Sequence, residues 1–351
     1  MVILKPGYLC TLTEQIFRGC GAPAEEAAMV ADHLVTANLM GLDSHGIIRI
    51  PQYVQEVEAK AIIPGAPVTI LKESESTVVV DCGWNFGQVG AVRAMEIAMG
   101  KASKHHASVV VTRRCGHVGR LGAYTQVAAQ GGFLALAFCT SSRQGHFVLP
   151  WGGREPRLSP NPISFGIPTD SGDPILADFS TSAAPEGKIR LYRDQGKQLP
   201  EGWIVDAEGR PTTDPRSFYG PPRGAILPFG GATGYRGYAL ALLVEVLGNA
   251  LAGQSVAGDH AGNGVAFILI DISAFLDRDQ SARLIADLKL HLKSCPPAEG
   301  FEEVLLPGEP EFRTAKRLKR EGISVEDGIW QQIQQCAKSL GVSCQTSSRS
   351  T

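Results

Sequence analysis

The chain lacks the features that would place it in several broad classes. No run of 18 or more apolar residues occurs, so nothing in it reads as a membrane span. The N-terminus has neither the charged segment nor the long apolar run and cleavage site of a signal peptide. Charge of one sign is not in excess: the net charge of −2 gives no electrostatic reason to expect nucleic acid or an anionic membrane as partner. There is no Cys-x-x-Cys pair among the eight cysteines, which are scattered from Cys10 to Cys344. Scattered thiols in a chain of this size read as reduced, mostly buried side chains of a cytoplasmic protein, and they argue against a zinc site. His33, His105, His106, His146, His260 and His291 show no metal-ligating spacing. A G-x-S-x-G elbow and an H-E-x-x-H helix are both missing, which counts against serine hydrolases and zinc proteases. What is left is an ordinary globular composition, 44% hydrophobic and 19% charged over 351 residues, enough for a large core and two domains.

One stretch concentrates chemistry. Gly41-Leu42-Asp43-Ser44-His45-Gly46-Ile47-Ile48-Arg49-Ile50-Pro51-Gln52-Tyr53 places a hydroxyl, an imidazole, a guanidinium and a phenol in an apolar neighbourhood. Pro51 has no amide proton and suits a first helical turn, so a helix is expected from about Pro51 to Lys60. Ser44, His45 and Arg49 then lie on the approach to its N-terminus, where backbone N–H groups favour an anion. An imidazole that can donate a proton beside a guanidinium that can grip a carboxylate is what reduction of a 2-oxo acid requires. The plainer reading is a polar turn in which Ser44 caps a helix and Arg49 meets solvent. Asp43-Ser44-His45 is not a hydrolase triad, because consecutive side chains diverge.

Along the chain, residues 11 to 40 read as two helices, the first capped by Thr13 and the second opening at Pro23 with acids in its first turn. From Thr77 strands alternate with helices: Val78–Asp81, Ser108–Thr112, Phe133–Cys139, Ile163–Ile167, Ile175–Phe179 and Val265–Ile272 are expected strands. Val89–Ser103 and Ala282–Leu292 are expected helices, and the apolar Tyr238–Ala252 is expected to be the central buried one. The many Gly- and Pro-rich turns between 133 and 180 imply a mixed sheet with antiparallel pairs. Residues 193 to 230, which contain Pro200, Pro211, Pro215, Pro221 and Pro222 and few apolar periods, read as a long surface excursion of a functional or subunit-contact kind. Helices close the chain at Phe312–Lys319 and Val325–Leu340, and Thr346–Thr351 reads as a frayed tail.

A strand running into Gly83, Gly87 and Gly90 and then a helix invites a dinucleotide-binding reading. The spacing is G-x-x-x-G-x-x-G, not G-x-G-x-x-G, and the next strand ends in Arg113-Arg114 with no acid for a ribose. These glycines are expected to serve a tight turn and close packing. His117, between glycines in Cys115-Gly116-His117-Val118-Gly119, follows a strand, where catalytic groups are often presented.

The 41–53 stretch resembles the signature of the malate/L-lactate dehydrogenase family, which is distinct from the Rossmann-fold enzymes of the same names. Further similar stretches are Gly116-His117-Val118-Gly119, Asn161 to Pro168, Asp178 to Ser182, Gly187-Lys188, Gly234 to Tyr238 and Leu306 to Glu311. The resemblance implies an α/β fold with a mixed, partly antiparallel sheet and flanking helices, binding NAD or NADP without a Rossmann motif. It also joins residues 1–72 and 311–345 into one helical domain beside an α/β domain at 73–310. Hydride would pass between C4 of the nicotinamide and C2 of a small 2-hydroxy or 2-oxo acid. Arg49, with Tyr53, would hold the substrate carboxylate; His117, or His45 supported by Ser44, would move the proton. Gly122, Ser141, Asp178, Phe179, Ser180, Arg236, Leu306, Pro307, Gly308 and Glu309 would bind the cofactor. Relatives usually carry lysine where this chain has Arg236, so cofactor affinity or preference is left open. Imino-acid reductases of the family carry an acid near Lys188, so Gly187-Lys188 tilts the chain toward hydroxy acids. Reduction of a cyclic imino acid is the rival activity, and a non-catalytic carboxylate-binding homologue the rival outside catalysis. A homodimer is the expected assembly.

Overall fold

Proline sets the first helical starts. The computed structural model describes residues 1–170, 172–255 and 262–344. Strand β1 (Val2–Leu4) leads into helix α1 (Pro6–Gly19), which has Pro6 in its first turn, and α2 (Ala24–Leu39) follows Pro23 with Glu25 and Glu26 at its positive end. The expected cap Thr13 lies inside α1, fully buried, because the helix begins at Pro6 and not after Thr13. Helix α3 spans Ile50–Glu58. Then come β2 (Thr69–Glu73), β3 (Thr77–Asp81), α4 (Gly87–His105), β4 (Ala107–Arg113), α5 (Gly122–Gln130) and β5 (Phe133–Ser141). After β6 (Ile163–Ile167) and β7 (Ile175–Phe179) the chain forms α6 (Glu186–Asp194). The Pro-rich excursion holds β8 (Ile204–Val205), β9 (Pro211–Thr212), α7 (Arg216–Tyr219) and β10 (Ala225–Ile226). The chain ends through α8 (Tyr235–Glu245), β11 (Asn263–Asp271), α9 (Arg278–Lys293), α10 (Glu309–Glu321), β12 (Ile323–Val325) and α11 (Asp327–Ser339). The expected tail at 346–351 lies outside the described residues, as does His260.

Seven strands form one mixed sheet in the order β2-β3-β4-β11-β5-β6-β7. Only β3 and β4 run parallel; each other neighbouring pair is antiparallel. Strand β2 straddles the division expected at 72/73, so the sheet begins at Thr69. Helices α4 and α5 cover one face, where Ala91, Ala94 and Ala98 meet Val80, Val110, Ala137 and Phe267. Val244 of α8 packs on Val111, Phe138 and Ala266 of the other face. The two chain ends share a core of Leu9, Phe17, Leu34 and Tyr53 with Phe312, Trp330 and Ile333, and β1 pairs antiparallel with β12.

Two expectations are corrected. Helix α8 is not a central buried helix: Gly237, Ala241 and Val244 are covered, but Leu242, Leu243 and Val246 stay 44–51% exposed. A continuous apolar surface cannot say which half its own chain covers. The 193–230 stretch, read as a long surface excursion, instead has a small core of its own, since β10, β8 and β9 form a three-stranded sheet and Ile204, Phe218 and Ile226 pack together. Strands of two residues carry no periodicity by which sequence could reveal them.

The topology places function at one sheet edge. The C-terminal ends of β3, β4, β5 and β7 point the same way, and β6 and β11 start there. Gly87 and Gly90 let α4 press onto the loop after β4. A Cβ on Gly87 would come 2.3 Å from the Gly116 carbonyl oxygen and 2.4 Å from the His117 carbonyl carbon; one on Gly90 would meet the sulfurs of Cys82 and Cys115. Gly87→Ala is therefore expected to lower stability by about 1–3 kcal/mol, as backbone must move. Gly100→Ala, on the same helix with open space around it, should be neutral or gain up to about 1 kcal/mol. Equal denaturation midpoints for the two variants would refute the close-packing account.

Candidate active site

Two 3₁₀ turns, Asp43–His45 and Ile47–Arg49, carry Ser44, His45 and Arg49 toward α3. Asn38, buried on α2, pins the joint between them by accepting the Ile47 N–H at 2.8 Å. A Cβ on Gly46 would lie 2.1 Å from that same Asn38 oxygen, so glycine is required there by contact. Arg49 donates through Nε to the Ser44 carbonyl at 2.7 Å and through Nη1 to Gln52 Oε1 at 2.7 Å. Its Nη2 has no partner among the described residues and is the nitrogen free to meet an anion; a two-nitrogen grip needs one of these bonds released.

The loop after β4 brings His117 to this cluster. Asn263, at the start of β11, accepts the Val118 N–H at 2.9 Å and donates to the Thr140 carbonyl at 2.9 Å, tying the His117 loop to the end of β5. Tyr53 Oη lies 2.7 Å from His117 Nδ1, and Gln88 Nε2 donates to that oxygen at 2.8 Å. The His117 and His45 rings are stacked, 5.8 Å apart and 8° from parallel. Ser44 Oγ is 3.1 Å from His45 Nδ1.

Both imidazoles are half-exposed by area but sit deep between packed elements. Poor solvation, with Arg49 and then Arg120 nearby, pushes His45 down to about 4. The same desolvation, with Arg49, His45 and His33 adding repulsion, holds His117 well below the usual imidazole range. Both are neutral near pH 7 in the free chain. Desolvation raises the Tyr53 phenol above its ordinary range, so Tyr53 stays protonated.

Of the residues expected to bind a cofactor, Gly122, Ser141, Asp178, Phe179 and Ser180 gather at the same sheet end, while the Leu306–Glu309 turn lies beside Leu176 near the start of β7. Asp178 Oδ2 accepts the Gly122 N–H at 2.6 Å. Solvent reaches Asp178, yet protein surrounds most of it, so poor solvation raises its carboxyl; the Gly122 N–H and Arg120 oppose that rise. Phe179 is 41% exposed, an open aromatic face at the end of β7. Ser180 Oγ is bonded to the Ser182 hydroxyl at 2.9 Å, and Ser141 Oγ stands at the end of β5. Phe229 N–H donates to the Thr181 carbonyl at 2.9 Å, which carries the N-terminus of α8 and its exposed Arg236 up to the end of β7. Pro307 accepts the Leu176 N–H at 3.0 Å, so the Leu306–Glu309 turn braces β7 from outside. The Glu309 carboxylate is taken by Lys293 at 2.7 Å and by the Leu306 N–H, and Gly308 adopts a positive φ that a side chain would strain. An open aromatic face, a helix N-terminus with a guanidinium and strand-end hydroxyls together fit a dinucleotide.

Sequence reasoning missed Asn38, Gln88, Asn263 and Arg120. Arg120 is 2% exposed; its N–H donates to His33 Nε2 at 2.9 Å, and its Nε and Nη1 have no partner among the described residues. Its place directly after Gly116-His117-Val118-Gly119 was the available signal. The other three are uncharged amides in helices and strands, which sequence alone cannot single out. Among the described residues no cluster of three or more His, Cys, Asp or Glu could hold a metal ion, and no helix is long and apolar enough to cross a membrane.

Comparison with known proteins identifies the family. The profile of the malate/L-lactate dehydrogenase family matches residues 5–334. The chain is 34% identical to L-sulfolactate dehydrogenase of Methanocaldococcus jannaschii over 97% of its own length and 98% of that protein's. The fold is similar to malate dehydrogenase of Entamoeba histolytica, with TM-score 0.92, 26% identity and coverage of 98% and 99% of the two chains. It is also similar to delta1-piperideine-2-carboxylate reductase of Pseudomonas syringae, with TM-score 0.83, 28% identity and coverage of 96% and 100%. By sequence along nearly its whole length, and by fold, the chain belongs to the malate/L-lactate dehydrogenase family.

Proposed function

We propose that this chain is a dehydrogenase that interconverts a small 2-hydroxy acid and its 2-oxo acid with NAD or NADP. The observation that carries the reading is the meeting of His117, held through Nδ1 by buried Tyr53, with the Arg49–His45 turn at the sheet end where Asp178, Phe179 and Arg236 also stand. Gly122, Ser141, Asp178, Phe179, Ser180 and Arg236 would hold the cofactor, with the Leu306–Glu309 turn supporting β7 behind them. When bound, the nicotinamide supplies or accepts a hydride. Arg49 would bind the substrate carboxylate, and His117 would give a proton to the nascent alkoxide oxygen or take it back. His45, stacked on His117 and bonded to Ser44, would line the same space. Gly187 faces Ser44: a Cβ placed on it would lie 3.9 Å from the Ser44 Cβ. Lys188 thus follows the corner of the site, and a cation there suits an anionic hydroxy acid better than a protonated imine. This is what favours hydroxy acids over the reaction of the piperideine-carboxylate reductase relative.

We also propose a homodimer. The apolar face of α8 and the exposed Leu284 and Leu288 of α9 are surfaces that a second copy would cover. At micromolar concentration, sedimentation equilibrium should give about twice the 37.4 kDa chain mass, and Leu243→Glu should shift it toward monomer. A single species at the chain mass would overturn the dimer.

Arg49→Lys should raise KM for the 2-oxo acid about 10- to 100-fold with little change in denaturation midpoint, since a charge-assisted contact is lost. A wild-type KM would remove Arg49 from the substrate site. The depressed imidazoles give a second test. A carboxylate binding between Arg49 and the histidines favours their charged forms, so proton affinity rises on binding. Oxamate binding to the cofactor-loaded protein should therefore take up protons at pH values above about 4, where His45 is neutral in the free chain, and weaken as pH rises. Calorimetry in buffers of different ionisation enthalpy reads this directly. Proton release on binding would contradict the role given to His117. Initial rates with NADH and NADPH decide the nucleotide.

A further inference from the structure

Gln88 is 0% exposed, and its two amide ends are in different situations: Nε2 donates to Tyr53 Oη at 2.8 Å, while Oε1 has no partner among the described residues. A phenol has one proton. Because an amide nitrogen cannot accept, Tyr53 receives from Gln88 and must send its own proton to His117 Nδ1, 2.7 Å away. In this arrangement His117 accepts at Nδ1, and when neutral it carries its proton on Nε2, the nitrogen left for substrate. That tautomer cannot take a proton from a substrate hydroxyl. An imidazolium is no better served, since its Nδ1–H would face the Tyr53 O–H, donor against donor.

Resting on the assignment of His117 as proton carrier, we propose that Gln88 and Tyr53 are positioning residues that form a reversible relay behind it, and that catalysis requires the relay to run opposite to the direction seen here. The reversal needs a half-turn of the Gln88 amide that presents Oε1 to Tyr53, rotation of the phenol O–H onto that oxygen, and one proton from solvent on His117 Nδ1, the proton taken up when the carboxylate binds. The phenol then donates to Gln88 Oε1 and accepts from His117 Nδ1–H. Both catalytic forms fit this reversed relay: imidazolium as acid, and the Nδ1–H imidazole as base. They differ only by the proton on Nε2, which passes to the substrate oxygen in reduction and returns in oxidation. No proton leaves Tyr53 in either direction. The charged and titratable groups that face His117 are Arg49 and His45 from the turns before α3, Tyr53 from α3 and His33 from α2; the three ionisable bases oppose the imidazolium and make an acceptor at Nδ1 more valuable.

Nitrogen NMR of the ¹⁵N-histidine-labelled protein tests this without turnover. Free protein near pH 8 should show His117 Nδ1 unprotonated, and the cofactor–oxamate complex should show it protonated. Gln88→Glu, whose carboxylate can only accept, should hold Nδ1 protonated even in the free protein and move the His117 ionisation in kcat/KM upward by about one pH unit or more. Gln88→Met, which offers Tyr53 no comparable oxygen, should lower kcat about 10- to 100-fold with KM within about threefold, through loss of a hydrogen bond to a charged chain. The same His117 tautomer in free and complexed wild-type protein overturns the relay, as does wild-type kcat in Gln88→Met. Equal losses in both variants with an unmoved pH profile would mark Gln88 as merely structural and also overturn it. If either variant fails to fold, the wild-type NMR comparison decides alone. Retained turnover in His117→Asn would instead defeat the underlying assignment of His117, an outcome separate from the tautomer result.

Discussion

The 2.7 Å contact between Tyr53 and His117 joins the helical layer to the sheet at the point where chemistry is expected, and much of the surrounding structure exists to hold it. Tyr53 is fully buried in the core built from both chain ends, between Phe17 and Phe86. His117 hangs on a loop fixed from three sides: by α4 through Gly87 and Gly90, by β11 through Asn263, and by α2 through the His33–Arg120 hydrogen bond. A contact between elements 64 residues apart survives only if both supports are rigid. Glycine in α4 weakens that helix locally, and close backbone packing against the His117 loop is the compensation.

The electrostatics follow from that packing. Arg49, Arg120, His33, His45 and His117 converge on one region, and desolvation keeps the imidazoles neutral. A free site of this kind repels further protons and attracts anions. On the proposed function, a carboxylate bound there would let the same imidazoles charge, and the acid needed for reduction would be created by substrate binding. Proton loading and substrate recognition would then be one event, set by burial and by two guanidinium groups.

Sequence reading went furthest where local physics dominates. Val78–Asp81, Ile163–Ile167 and Ile175–Phe179 were readable because β-branched and apolar runs bounded by Gly, Pro or Asp have few alternatives. The turn before α3 was readable because Pro51 and the polar cluster point the same way, although the helix starts one residue earlier, at Ile50. The wrong spacing of Gly83, Gly87 and Gly90 pointed to packing, and the contacts of Gly87 and Gly90 agree with that. Non-local choices were hidden. Nothing in Asn263–Asp271 says that it inserts between β4 and β5, and nothing in Val2–Leu4 says that it pairs with Ile323–Val325. Gln88 looked like one more polar residue in a helix; its importance arises from a phenol 35 positions away. The residues expected to hold a cofactor came from family resemblance, and the sheet explains part of their dispersal: Gly122, Ser141, Asp178, Phe179 and Ser180 follow or end strands β4, β5 and β7, which finish at one end of the sheet.

That edge also explains why a Rossmann turn is unnecessary. In a doubly wound parallel sheet, ligands gather at the carboxyl ends of strands because every strand ends there. Here antiparallel β11 and β6 intervene, yet β3, β4, β5 and β7 still end together, because each reversed strand is followed by one that restores the direction. The edge therefore offers His117, Ser141, Asp178 and Phe179 from successive forward strands, with the N-terminus of α8 brought beside them by the Thr181–Phe229 pairing. On the proposed function, phosphate recognition would fall to a helix N-terminus and Arg236 instead of a glycine loop. The glycines after β3 would then need no ligand contact, and Gly87 and Gly90 fix the loop that carries His117 to the Tyr53 hydrogen bond.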